Sequence, residues 1–178
     1  EGTAVRIYGC NETMRPYRGR LTLWWMDGEG NSKQLLRQEA EIQKDAATPL
    51  AVWTPEEGQT SLHGYLKAEF EGEIQLQNRF FPGDIGDYIG VIPPQTELTC
   101  QVAARTEDSM TLLIYAPRFA QDVCLTVLNR NARYSDNAFD MDAGETRQVT
   151  VSLPEKLHIG APLRVSALNA APQLISWR

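Results

Sequence analysis

The 178-residue sequence has only three cysteines and two histidines, and no CxxC pair. Cys10, Cys100 and Cys124 lie far apart, and His63 and His158 are equally isolated. A structural zinc site needs about four clustered ligands, so that class is disfavoured and no cofactor is expected. An odd cysteine count leaves at least one free thiol. The expected place for all three is the interior, as small buried hydrophobes. Without a disulfide framework nothing argues for export, and the compartment stays open between cytoplasm, periplasm and exterior. No apolar run approaches the ~20 residues of a membrane span, and a signal-peptide pattern is missing from the N-terminus. Basic charge is scarce. The 17 Lys and Arg against 23 Asp and Glu give a net charge of −6, which speaks against nucleic acid as a partner. A phosphate loop, a Ser-His-Asp arrangement and an amphipathic membrane helix are lacking as well. The first residue is Glu1 rather than an initiator methionine, which points to a processed or excised chain.

What is present is a period of two. The content of 42% hydrophobic and 22% charged residues is that of an ordinary globular chain. In TAVRIYGC, Val5 and Ile7 share one face, Arg6 and Tyr8 the other. In RGRLTLWW, Leu21, Leu23 and Trp25 point inward, and Arg20, Thr22 and Trp24 outward. Strands are expected at about 3–10, 18–27, 33–43, 48–54, 62–71 and 73–81. LLRQEAEIQKDAA has helical propensity, but strands at hairpin spacing flank it, so it reads as a long strand. The glycines of MDGEGNS suit a hairpin connection. A stretch rich in proline and glycine follows at 82–94, and its Pro93-Pro94 pair cannot sit inside a sheet. Strands then resume at about 97–105, 108–116, 121–128, 133–139, 146–153 and 162–169. The expected fold is all-β: two consecutive immunoglobulin-like antiparallel β-sandwiches, residues 1–92 and 93–178. The first half carries a net charge of −5 (9 basic, 14 acidic) and the second −1 (8 basic, 9 acidic).

The segment YSDNAFDMDAGETRQVTV is the acidic concentration of the chain. Asp136, Asp140 and Asp142 differ by even numbers, and three readings compete. A glycosidase needs two carboxylates facing each other across a cleft, ~5–9 Å apart. An exposed loop without a Trp- or Arg-lined cleft does not offer that. Calcium suits alternating Asp better, which makes Asp136, Asp140 and Asp142 weak candidates. Phe139 and Met141 interrupt the run, however, and no EF-hand register is present; DGEGN, Asp27 to Asn31, is equally incomplete. The third reading outranks both: a hairpin end in which Asp and Asn bond their own backbone, Phe139 tucks into the core and Ala143-Gly144 reverses the chain.

SDNAFDMDAGETRQVTV resembles the C-terminal module of β-mannosidases in glycoside hydrolase family 2. There a Ser-Asp-Asn-aromatic-Phe-Asp run precedes a Gly-Glu turn and a Val-rich strand. VRIYGCNETMRPYRGRLTLWWMDGEGN is similar to the preceding module of those enzymes, QNRFFP to its closing segment, and IPP to the linker. This sequence has MDAGE where the family more often has Pro or Leu before Gly-Glu. The resemblance implies accessory domains packed on a catalytic (β/α)8 barrel of the parent chain. Such a barrel needs ~250 residues and alternating helices, and it carries both catalytic glutamates. No position here matches a catalytic motif, so no catalytic residue is carried over.

Exposed rings are the remaining functional signal, because sugars stack on them. Trp25 and Trp53 are expected in the core, and Trp24 at an edge or interface. Trp24 and Arg20 are the candidates for carbohydrate or interface contact. The alternative to an accessory role is an independent module that binds carbohydrate or a cell-surface partner.

Overall fold

The computed structural model describes residues 4–57, 59, 64–82, 95–128, 131–153 and 162–177. These residues form strands joined by turns, with no helix among them. Backbone packing divides the chain into two units: residues 1–27 with 31–91, and residues 92–178 with Gly28–Gly30. Pro93-Pro94, His63 and His158 lie outside the described residues.

The first unit holds β1 (Val5–Asn11), β2 (Tyr17–Met26), β3 (Ser32–Ile42), β4 (Ala46–Trp53), β5 (Tyr65–Gly72) and β6 (Gln75–Phe80). One sheet has the antiparallel order β3-β2-β5-β6; the other is the pair β1-β4. The helical propensity of LLRQEAEI loses to pairing, since β3 is bonded to β2 along its length. Alternation places Leu21, Leu23 and Leu66 in the core, where Trp53 is buried and stacks on Trp25 at 5.8 Å. Each such side chain contributes roughly 1.5–3 kcal/mol by leaving water. Gly9 is required on β1 because a Cβ there would stand 2.7 Å from the Ile42 side chain.

The second unit is a sandwich of two four-stranded sheets. β7 (Thr99–Arg105), β8 (Ser109–Tyr115), β10 (Arg133–Tyr134) and β12 (Thr146–Ser152) form one, in the order β10-β12-β8-β7. β9 (Ala120–Val127), β11 (Phe139–Met141), β13 (Leu163–Ala167) and β14 (Ala170–Ile175) form the other, in the order β11-β9-β13-β14. Inward positions at every second residue, such as Met110, Leu112 and Ile114 on β8 and Val149 and Val151 on β12, are fully buried. Phe139 joins this core.

Two expectations need correction. The strand expected at 133–139 is broken in two, because Ala138 takes a left-handed φ of 58° and the chain turns between β10 and β11. The strand β14 was not expected. Pro172 argues against a strand, yet β14 is the last strand of its sheet, where a missing N–H is tolerated.

Three asparagines complete the backbone pairing where strands stop. Asn137 Oδ1 accepts the Leu125 N–H at 2.7 Å, and its Nδ2 donates to the Leu125 carbonyl at 3.1 Å. One side chain thus stands in for a strand residue opposite β9. Asn169, fully buried, accepts the Gln121 N–H at 3.0 Å and donates to the Phe119 carbonyl at 2.8 Å. In the first unit, Asn11 donates to the carbonyls of Arg15 and Gln43 and accepts from Thr13. Buried peptide groups left unpaired cost ~1–3 kcal/mol each.

Phe139→Ala should lower unfolding stability by ~3 kcal/mol or more through the cavity it leaves. Asn137→Ala, which strips both partners from Leu125, should cost on the order of 2 kcal/mol. Urea denaturation followed by tryptophan fluorescence measures both; a loss below ~0.5 kcal/mol for Asn137→Ala would mean that water replaces the amide there.

Candidate functional site

Arg20, Thr22 and Trp24 lie along one face of β2, opposite the sandwich core. Antiparallel register sets Glu39 beside Arg20, and sets Glu69 and Lys67 of β5 beside Thr22 and Trp24. Arg20 Nε reaches Glu39 Oε1 at 3.0 Å. Trp24 is half-buried, and its indole Nε1 donates to Glu69 Oε2 at 2.8 Å. The other Glu69 oxygen meets Lys67 Nζ at 2.6 Å. The Lys67 side chain is 12% exposed and Thr22 is buried, so the centre of this face is a packed polar lattice. Arg18 pairs with Glu41 at 2.8 Å on the same face, and its hydrogen bond holds the Glu41 carboxyl below the usual range. These exposed arginine pairs contribute little to stability, because solvent screens them.

The acidic stretch resolves into individually engaged groups. Asp136 accepts the Asn137 N–H at 2.9 Å and pairs with Arg147 Nη1 at 3.2 Å. Asp140 Oδ1 accepts the N–H of Asp122, a residue at a φ of 52°. Asp142 donates its N–H to Glu145 Oε2 at 2.8 Å, and Glu145 Oε1 binds Arg147 through Nε and Nη2. The Arg147 guanidinium lies 4.4 Å from the centre of the Phe139 ring. Gly144, at a φ of 79°, supplies the reversal before β12. The Arg147 guanidinium is the cation that Asp136 and Glu145 share. Among the described residues no group of three or more His, Cys, Asp or Glu is arranged to hold a metal ion. In the DGEGN turn both Asp27 oxygens bond Asn31, at 2.8 Å each.

A cleft of about 480 Å³ opens at one edge of the first sandwich, between β1 and β6. Its floor includes Leu21, Leu66 and Phe70, and its rim Tyr8, Leu76 and Phe80. Sequence reading missed it.

The thiols also depart from expectation. Cys10 is exposed, because it shares the outward face of β1 with Arg6 and Tyr8. Cys100 and Cys124 are half-buried. Burial pushes Cys100 up to about 11, and burial together with the Asp122 carboxylate raises Cys124.

Six strands in a four-plus-two arrangement and eight in a four-plus-four define two antiparallel β-sandwiches in tandem. Residues 94–169 match the family model of the mannosidase Ig-fold domain. Among solved structures, a β-D-mannosidase from Dictyoglomus thermophilum is similar over 94% of this chain at 18% identity, with a TM-score of 0.73. An exo-chitosanase from Amycolatopsis orientalis is similar over 98% at 14% identity, with a TM-score of 0.58. At such identities the likeness speaks for the fold. The chain spans 20% of the mannosidase and 25% of the exo-chitosanase. No curated protein sequence matches it.

With a disulfide-exchange reagent at pH 8, Cys10 should account for the fast phase. Cys100, held at about 11, should be the slow thiol, being thiolate in roughly one molecule per thousand at that pH. Cys10→Ser should abolish the fast phase; its survival would mean a different thiol is open.

Proposed function

We propose that this chain forms the non-catalytic C-terminal modules of a family 2 glycoside hydrolase of β-mannosidase type, packed on a catalytic (β/α)8 barrel elsewhere in the parent chain. The match of residues 94–169 to the mannosidase Ig-fold domain carries this reading. Two further observations support it. Almost the whole chain aligns with a fifth of a β-D-mannosidase, and a (β/α)8 barrel of ~250 residues exceeds this chain's length. The acidic turn is compatible as well, since its carboxylates hold backbone and arginine in place.

In this reading residues 1–92 and 93–178 are separate modules, and the face carrying Arg20 and Trp24 is the surface offered to the barrel. A half-buried tryptophan ringed by charge suits a polar interface. An independent carbohydrate-binding module would use Trp24 differently, as a stacking platform.

The isolated chain should hydrolyse neither p-nitrophenyl β-mannoside nor the β-glucosaminide, while the polypeptide encoded with its upstream region should turn over one of them. Turnover by the isolated chain that disappears when one of its own carboxylates is changed would overturn the reading. Titration with mannan or chitosan oligosaccharides should give no heat. Binding that vanishes in Trp24→Ser would favour the independent module. A chain starting at about residue 93 should melt cooperatively, as a self-contained module does.

A further inference from the structure

The first sandwich has a two-stranded sheet facing a four-stranded one. Positions 76, 78 and 80 of β6 pair with Phe70, Ala68 and Leu66, so they share the inward face of their sheet. Phe70 and Leu66 are buried, at 4% and 2%, yet Leu76 is 48% exposed and Phe80 41%. Inward-facing apolar side chains stay wet when nothing in the opposite sheet lies over them. Among the described residues β1 pairs with β4 alone, which leaves its second edge facing the cleft beside β6. Tyr8, on the rim, is 47% exposed.

Connectivity says which strand belongs there. In immunoglobulin-like sandwiches one sheet runs A-B-E-D and the other C-F-G, with C′ added beside C. The order β3-β2-β5-β6 matches C′-C-F-G, and β1-β4 matches B-E. Strand D would fall between β3 and β4, where Gln43, Lys44 and Asp45 are the whole connection. Strand A lies beside B, opposite G, and precedes B in the chain. The edges agree: β4 carries Pro49, which cannot donate to an added strand, whereas β1 contains no proline.

We propose that the free edge of β1 and the cleft beside it receive an extended strand from the polypeptide that leads into Val5 in the parent protein. It pairs antiparallel with β1 and lays alternate apolar side chains over Leu76 and Phe80. This rests on the reading of the chain as part of a larger hydrolase. A strand matching the seven residues of β1 spans about 23 Å at ~3.3 Å per residue.

The test compares the 178-residue chain with one extended by the residues encoded immediately upstream of Glu1, on the order of fifteen, enough for a strand and a turn. Hydrogen exchange of the β1 amides is the readout, with the melting midpoint and the sedimentation of each chain. The extension should slow exchange at the β1 edge by about tenfold or more, raise the midpoint by several degrees and leave the chain monomeric. In the 178-residue chain Leu76→Ser with Phe80→Ser should change the midpoint little; in the extended chain the same pair should remove most of the gain. Three results would overturn the proposal: β1 amides already protected in the 178-residue chain, no added protection in the extended one, or protection that grows with protein concentration and so comes from a second copy. The functional reading fails separately. Protection by the extension with no barrel encoded upstream keeps the strand and rejects the hydrolase. A barrel upstream with β1 still unprotected rejects the strand alone.

Discussion

A β-sandwich depends on giving every buried peptide N–H and C=O a partner where strands start, stop or change sheet. In this protein asparagine side chains meet that need at three joints. Asn137 replaces a strand residue opposite Leu125, so β10 and β11 can be separate pieces and Phe139 can still enter the core. Asn169 ties the start of β9 to the turn before β14, and its own carbonyl accepts the Thr96 N–H. Asn11 gathers the β1–β2 loop and the β3–β4 turn. The amide suits this task because it offers both a donor and an acceptor, as a peptide group does.

The same requirement accounts for the carboxylates of the acidic turn. Here Asp136, Asp140 and Glu145 each accept a backbone N–H, and Arg147, over the Phe139 ring, pairs with both Asp136 and Glu145. Their job is to hold a turn in register. The Trp24 face is built alike, with Glu69 shared between an indole and an ammonium. Both surfaces are charged and cross-linked by hydrogen bonds.

Much of this fold is legible in the sequence because the pleat alternates. Leu21, Leu23 and Trp25 against Arg20, Thr22 and Trp24 gave the correct faces of β2, and the outward place of Cys10 followed from the same parity had it been applied there. Alternation fails where the backbone leaves the extended region. The φ of 58° at Ala138 breaks a strand that composition reads as continuous. It also fails where an edge position tolerates a residue that interior strands exclude, as at Pro172 in β14. The cleft was illegible for a different reason. Leu76 and Phe80 are on the inward face of β6, but their exposure depends on a strand opposite, which no local pattern reports. The resemblance in SDNAFD agrees with the family match over residues 94–169, and its physical content is the Asn137 amide at the point where the strand breaks.

That amide also marks a chemical weak point. Asparagine side chains hydrolyse slowly to carboxylates, faster when hot. At position 137 the change would swap the N–H that meets the Leu125 carbonyl for an anionic oxygen, turning attraction into repulsion across 3.1 Å. One lost ammonia would thus weaken the join between the β10–β11 turn and β9 at Leu125, with no break in the chain.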